Sequence, residues 1–186
     1  MMAPARSANS VVTLTVTIPG RSRTILRSAA NGRRANKGGV TMLKAEQSVT
    51  IDRPVEEVWE YINDPRNDTE WQSMIVEAVQ VSEGPVGAGT VKRVTAKVLG
   101  RRFDTTFEVT EYEPNRRSRI KSTSGPFAFT GTYEVERADG GTRFTWAMEG
   151  DPGGFFKLAE PLVVRVVGRQ VQADMETLKD LLETRE

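Results

Sequence analysis

Between residues 75 and 149 apolar and polar side chains alternate with a period of two, and this alternation recurs in six stretches, at 75–82, 90–99, 102–112, 118–124, 127–136 and 142–149. The segments between them are turn chemistry: Gly84-Pro85-Val86-Gly87-Ala88-Gly89, Gly100, Pro114-Asn115, Gly125-Pro126 and Asp139-Gly140-Gly141. Connections this short join antiparallel neighbours, because a parallel crossover needs a dozen or more residues. The six stretches therefore predict a meander. Alternation also assigns faces: Phe103, Thr105, Phe107 and Val109 share a side, as do Phe129, Gly131, Tyr133 and Val135, and as do Phe144, Trp146 and Met148. One face is aromatic and the other, with Arg102, Asp104, Glu108, Thr130, Glu134 and Arg143, is solvated.

The flanks carry a helical period. Residues 43–51 end as an alternating strand, after which Val55, Val58, Trp59 and Ile62 recur at helical spacing on one apolar face. Pro54 suits a first helical turn, Asp52 is the expected N-cap, and Glu56 and Glu57 favour the helix dipole. Asn63-Asp64-Pro65 ends this helix, since the residue before proline is driven from helical dihedrals. Residues 67–70 allow one more short turn before Trp71. At the other end Val164, Val167, Val171, Met175, Leu178 and Leu182 step by three and four, predicting a long helix over about 155–183 with Pro161 near its first turn. The expected fold is α+β, an antiparallel sheet of about seven strands whose aromatic face only the terminal helix is long enough to cover.

The chain of 186 residues, 38% hydrophobic, suits one domain with a core. It contains no cysteine and no histidine. This excludes disulfides, thiol nucleophiles, His-based triads and histidine or cysteine metal sites, so no metal site or cofactor is expected, and acid–base chemistry falls to a carboxylate, Tyr or Lys. A cysteine-free chain suits a reducing cytoplasm. The net charge of +1 conceals an asymmetry: residues 1–41 hold seven Arg and Lys and no acid, leaving 19 basic against 25 acidic groups in the remainder. An acidic body with a basic leader is not a nucleic-acid-binding profile.

The leader, residues 1–41, is expected to lack fixed structure, and residues 42–186 to form the folded domain. Its Arg, Ser and Ala content resembles a transit peptide, while VVTLTVTI at 11–18 alternates like a strand and is too short to span a membrane. Lys37-Gly38-Gly39 can also be encoded by a purine-rich ribosome-binding sequence placed just before Met42, which makes Met42 a candidate natural start.

The string VTIDRPVEEVWEYINDP with Trp71, then GAGT at 87–90, VTEYEP at 109–114 and DMETLKDLLE at 174–183, resembles the START-like superfamily. In particular it resembles the bacterial polyketide cyclase/dehydrase and lipid-transport proteins, which share the helix-grip fold of the major birch-pollen allergen. The similarity covers roughly 43–185. It implies a curved sheet wrapped around the long C-terminal helix, with two short helices after the first strand propping its open end. Such a fold leaves a gap where sheet and helix diverge. Phe103, Thr105, Phe107, Phe129, Tyr133, Phe144, Trp146 and Met148 from the sheet, Phe156, Val163 and Val167 from the helix, and Trp71 beside them are the candidate ligand-binding residues, with Ser118 and Ser122 as further hydrogen-bonding points. Core filling is the competing role for each, because apolar strand faces are mostly structural.

The expected function is binding or transport of a hydrophobic small molecule, such as a lipid, isoprenoid or polyketide, in that gap. The alternative is a cyclase or aromatase, in which Tyr or Arg polarises a carbonyl and the pocket folds the chain. A protein-interaction module built on the outer surface is a further alternative. Other constellations reduce to structure: the Gly84–Thr90 loop lacks the Gly-Lys-Ser/Thr ending of a phosphate loop, and Asp174, beside the helical stripe, is expected to be a hydrogen-bonded structural acid.

Overall fold

A computed structural model describes residues 12–18, 21–24, 42–98, 100–151 and 160–185, with side chains described from 44 to 98, 100 to 151 and 168 to 185. In chain order the elements are β1 (Val12–Ile18), β2 (Arg21–Thr24), β3 (Met42–Ile51), α1 (Val55–Asn63), a 3-10 turn (Pro65–Asn67), α2 (Asp68–Trp71), β4 (Ile75–Gln80), β5 (Val91–Val98), β6 (Arg101–Glu113), β7 (Arg117–Ser124), β8 (Ala128–Ala138), β9 (Gly141–Asp151) and α3 (Glu160–Thr184). Strands β4 to β9 form the expected six-strand antiparallel meander, each paired with its chain neighbour. β3 joins its far edge by pairing antiparallel with β9, from Leu43 opposite Gly150 to Ile51 opposite Thr142. This gives the seven-stranded sheet of the helix-grip fold. Two strands from the leader extend the same edge: the alternating run at 11–18 becomes β1, which pairs with β3 from Val12 opposite Gln47 to Thr17 opposite Met42, and β2 pairs with β1.

Bulges bend the sheet. Register shifts between Val109 and Glu111, between Ile75 and Glu77, and opposite Thr106 and Phe107 insert extra residues into β6, β4 and β7 respectively, which bends these strands and raises the local twist.

That face is sealed at one end. Ile51 and Val49 of β3, Phe144 of β9 and Val135 of β8 pack with Met175, Leu178 and Leu182 of α3 and with Val55, Val58, Trp59 and Ile62 of α1. Polar contacts fasten the C-terminal half of α3 over this core. Lys179 Nζ donates to the Thr50 carbonyl at 2.9 Å, Arg53 Nη2 donates to the Glu183 carbonyl at 3.0 Å, and the Asp52 amide donates to Glu183 Oε1 at 2.7 Å. Asp174, buried on α3, accepts from the Ser73 hydroxyl at 2.7 Å, the Ser73 amide at 3.2 Å and Gln170 Nε2 at 3.2 Å. It is the structural acid that its place beside the stripe predicted.

Asp52 does not cap α1. The helix begins at Val55 with Pro54 at the cap position and no side-chain cap bond, because Asp52 stands two residues too early and its amide is committed to Glu183. At the other end the expectation holds: Asp64 takes extended dihedrals before Pro65, and its carboxylate accepts the Arg66 amide at 2.9 Å.

The turn into β9 depends on glycine. Gly141 has φ +141°, and a Cβ there would stand 2.1 Å from the Ile51 carbonyl oxygen, whereas Gly140, at φ +85°, has open space around it. Gly140→Ala is therefore expected to lose about 1 kcal/mol from left-handed strain alone, and Gly141→Ala about 3 kcal/mol or more because backbone must also move. Urea unfolding of the two variants checks this; equal losses would contradict it.

Candidate functional site

Strand register sorts the concave face into rows that run across the sheet, one residue from each strand. The sealed row is Val49, Phe144 and Val135. Next comes a row with a hydrogen-bonding side chain at every position: Gln47 opposite Trp146, Trp146 opposite Tyr133, Tyr133 opposite Ser118 and Ser118 opposite Tyr112. Beyond it the face turns apolar again with Ala45, Met148, Gly131, Ile120 and Val109, then Gly150, Phe129, Ser122 and Phe107. At Gly131 a Cβ would lie 2.9 Å from Ile120 Cγ1, so the isoleucine leans across the glycine and fills the space a side chain there would take.

Burial changes along these rows. Phe144 and Val135 are buried, whereas Tyr133, Trp146, Met148, Phe129, Ile120, Thr105 and Phe103 are only half-buried although they share the same concave face. Burial nevertheless pushes the Tyr133 phenol well above its ordinary range.

The expected site residues separate accordingly. Phe144, at 0% exposure, and Trp71, at 2%, belong to the sealed core, where Phe144 meets the Trp71 ring edge-on at 6.1 Å and the Tyr133 ring at 5.4 Å. Phe107 is buried and meets Phe129 at 6.5 Å, and Phe127 joins Phe129 at 5.6 Å. Tyr133, Trp146, Met148, Phe129, Thr105 and Phe103 stand together on the half-buried part of the face. Phe156 lies outside the described residues; Val163 and Val167 fall within α3, and their side chains lie outside the described ones. Ser118 is not free to face a gap, since its hydroxyl donates to Asn63 Oδ1 at 3.0 Å, and Ser122 Oγ accepts the Phe129 amide at 2.9 Å.

Behind Tyr133 lies a polar cluster that the sequence reading did not single out. Lys92, buried on β5, donates to the Asn63 carbonyl at 2.9 Å, and the Asn63 amide nitrogen donates to the Trp59 carbonyl at 2.9 Å. Gln72 Nε2 lies 3.3 Å from Asp68 Oδ1 and 3.5 Å from the Tyr133 hydroxyl. Burial pushes the Asp68 carboxyl up to about 7 against the opposing pull of Lys92, and burial lowers Lys92. Two buried polar side chains have no partner among the described residues: both amide atoms of Gln47, at 1% exposure, and the indole Nε1 of Trp71. Alternation offered a signal for two of these residues, because Lys92 falls in phase with Val94 and Ala96, and Gln47 with Ala45 and Val49. Asp68 had none, as a four-residue helix shows no period.

No group of three acidic, His or Cys side chains among the described residues is placed to hold a metal ion. A separate open cleft of about 1050 Å³ lies on the outside, where α1 begins and α3 ends, bordered by Arg53, Glu57, Tyr61, Asp64, Arg137 and Arg185. Its charges are engaged in fastening the chain end: Arg185 stacks over Tyr61 at 4.5 Å and pairs with Glu70 at 3.0 Å.

Residues 42–183 match a family described as polyketide cyclase/dehydrase and lipid transport. The chain belongs to this family. Proteins similar in sequence include ones of Mycobacterium bovis and Mycobacterium tuberculosis named only as uncharacterized, at 30% identity over 107 residues; the match spans 53% of this chain and 61% of each relative. Solved structures share the fold. The Zhui aromatase/cyclase of a Streptomyces species aligns with TM-score 0.64 at 19% identity, over 77% of this chain and 95% of that one. A START superfamily protein of Mycobacterium smegmatis aligns with TM-score 0.64 at 12% identity, over 75% and 97%. A Thermus thermophilus protein aligns with TM-score 0.63 at 22% identity, over 76% and 96%.

The raised Asp68 carboxyl makes stability depend on pH. Its folded value lies above the unfolded one near 3.8, so its favourable contribution is complete below pH 4 and is lost as pH rises through 7, on the order of 4 kcal/mol at the limit. In urea unfolding the wild type should lose stability between pH 4.5 and 7.5 more steeply than Asp68→Asn. Parallel profiles would show that Asp68 does not carry the effect.

Proposed function

We propose that this protein binds or carries a largely apolar small molecule between the concave face of the sheet and α3. The observation that carries this reading is the change of burial along one face: aromatic and aliphatic side chains sealed beside Met175 and Leu178 give way to half-buried ones from Tyr133 and Trp146 outward. Apolar walls with a few convergent hydrogen-bonding groups are the usual make-up of a small-molecule site. Phe129, Tyr133, Trp146, Met148, Phe103 and Thr105 line it, while Phe144 and Phe107 support it from the core. Among the described residues no helix is long and apolar enough to cross a membrane, and we take the protein to work in the cytoplasm.

A catalytic reading has one observation of its own. The Gln72 amide links the Tyr133 hydroxyl to Asp68, whose carboxyl is pushed up to about 7, the range useful for proton transfer at neutral pH. A cyclase of the kind named among the structural neighbours would use Tyr133 to polarise a carbonyl. The binding reading stands ahead because it needs no chemistry from a carboxylate that is itself buried.

Titration with N-phenyl-1-naphthylamine, a neutral fluorescent apolar probe, tests the reading. The wild type should bind with micromolar affinity, and Met148→Trp, which adds bulk on the half-buried row, should bind at least tenfold more weakly with an unchanged melting temperature. Equal binding by the two proteins would place the probe elsewhere. Absence of binding, together with absence of any co-purifying lipid in solvent extracts by mass spectrometry, would contradict a carrier role.

A further inference from the structure

The inner face holds a polar row with unused hydrogen-bonding capacity at one side. Ser118 and Tyr112 are satisfied from α1, by Asn63 at 3.0 Å and by Trp59 Nε1 at 3.1 Å. On the β3 side the situation is reversed. Among the described residues, Gln47 leaves both its amide oxygen and its amide nitrogen unpartnered, and the Trp71 indole N–H is unpartnered too. Among the described residues the Tyr133 hydroxyl receives only the long 3.5 Å contact from Gln72, which leaves its own proton available to donate. These three residues are neighbours: Gln47 and Tyr133 flank Trp146 in register, and the Trp71 and Tyr133 rings lie 6.3 Å apart. Two strand spacings, about 10 Å, separate Gln47 from Tyr133, with Trp146 on the strand between them.

Leaving such groups buried and unpaired is unfavourable, and an apolar side chain of the same shape would remove the penalty. Resting on the binding role proposed above, we infer that Gln47, Trp71 and Tyr133 form a head-group subsite for a neutral carbonyl or hydroxyl at the leading end of an apolar ligand. The molecule enters polar end first, its oxygen stops at this row, and its tail lies along Met148 and Phe129. The donors outnumber the acceptors, with the Gln47 amide, the Trp71 indole and the Tyr133 hydroxyl all able to donate and the Gln47 oxygen to accept, which suits a ketone or an alcohol. A carboxylate is disfavoured. No residue of the row is cationic, Lys92 is engaged by the Asn63 carbonyl, and the acid linked to Tyr133 through Gln72 is Asp68.

The test compares 2-dodecanone, 1-dodecanol and dodecanoate, which share tail length and differ at the head, as competitors of N-phenyl-1-naphthylamine at pH 8. On the wild type the ketone and the alcohol should compete at least tenfold better than the carboxylate. Gln47→Leu should weaken the ketone and the alcohol about five- to tenfold, the worth of one or two buried hydrogen bonds, leave the probe within twofold, and melt no lower than wild type. Trp71→Phe, which keeps the ring and removes the N–H, gives an independent reading should Gln47→Leu fold poorly, and it should weaken the ketone in the same way. Dodecanoate binding as tightly as the ketone, or variants that weaken probe, ketone and alcohol alike, would overturn the head-group subsite while leaving the cavity. A wild type that binds none of the compounds would overturn the cavity reading and this inference with it.

Discussion

The structure depends on how firmly the C-terminal half of α3 is held at one end of the curved sheet. Met175, Leu178 and Leu182 are driven into Ile51, Phe144 and Ile62, all at or near zero exposure, and each such side chain contributes about 1.5–3 kcal/mol on burial. Hydrogen bonds from Lys179 and Arg53 and to Asp174 then fix the helix against β3, the Arg53 loop and Ser73. A straight helix seated on a curved surface can meet it closely along only part of its length. The sheet bulges at Phe107 and Glu111 set that curvature, and the change from sealed to half-buried aromatic residues is its consequence.

The polar row follows from the same geometry. It marks the boundary between the sealed core and the half-buried face, and its two ends are treated differently. Toward β6, Asn63 and Trp59 of α1 satisfy Ser118 and Tyr112, because the helix end reaches that far. Toward β3, the helix pair offers the Trp71 ring, and among the described residues its N–H and the Gln47 amide stay unpartnered. Polar groups retained at such a boundary confer selectivity that an all-apolar face lacks. The Asp68, Gln72 and Tyr133 sequence adds a proton-bearing element behind the row, with Lys92 as counter-charge.

Much of the architecture was legible because period-two alternation is strong where one sheet face is buried. All six predicted strands are present within about two residues of their expected ends, and the helix-stopping proline at 65 acts where it should. The placement of β3 beside β9 was not legible from pattern, since pairing between distant segments leaves no local period, and it emerged only in the structure. Asp52 misled because a good capping side chain is effective only at the cap position itself. Phe144 and Phe129 looked alike in sequence, both aromatic and both inward, and only packing against α3 and α1 separates the sealed one from the half-buried one. Gln47 and Lys92 were passed over because polar residues on a concave face read as interruptions of the apolar pattern, although parity alone placed both inward, and Asp68 sits on a helix too short to show a period.

Crystals of the protein pressurised with xenon test the central claim most directly, because xenon reports apolar interior space without requiring the right ligand. The account predicts bound xenon beside Met148, Phe129 and Ile120, on the far side of the polar row from Phe144. A xenon-free interior, with those side chains packed as closely as Phe144 is, would contradict it.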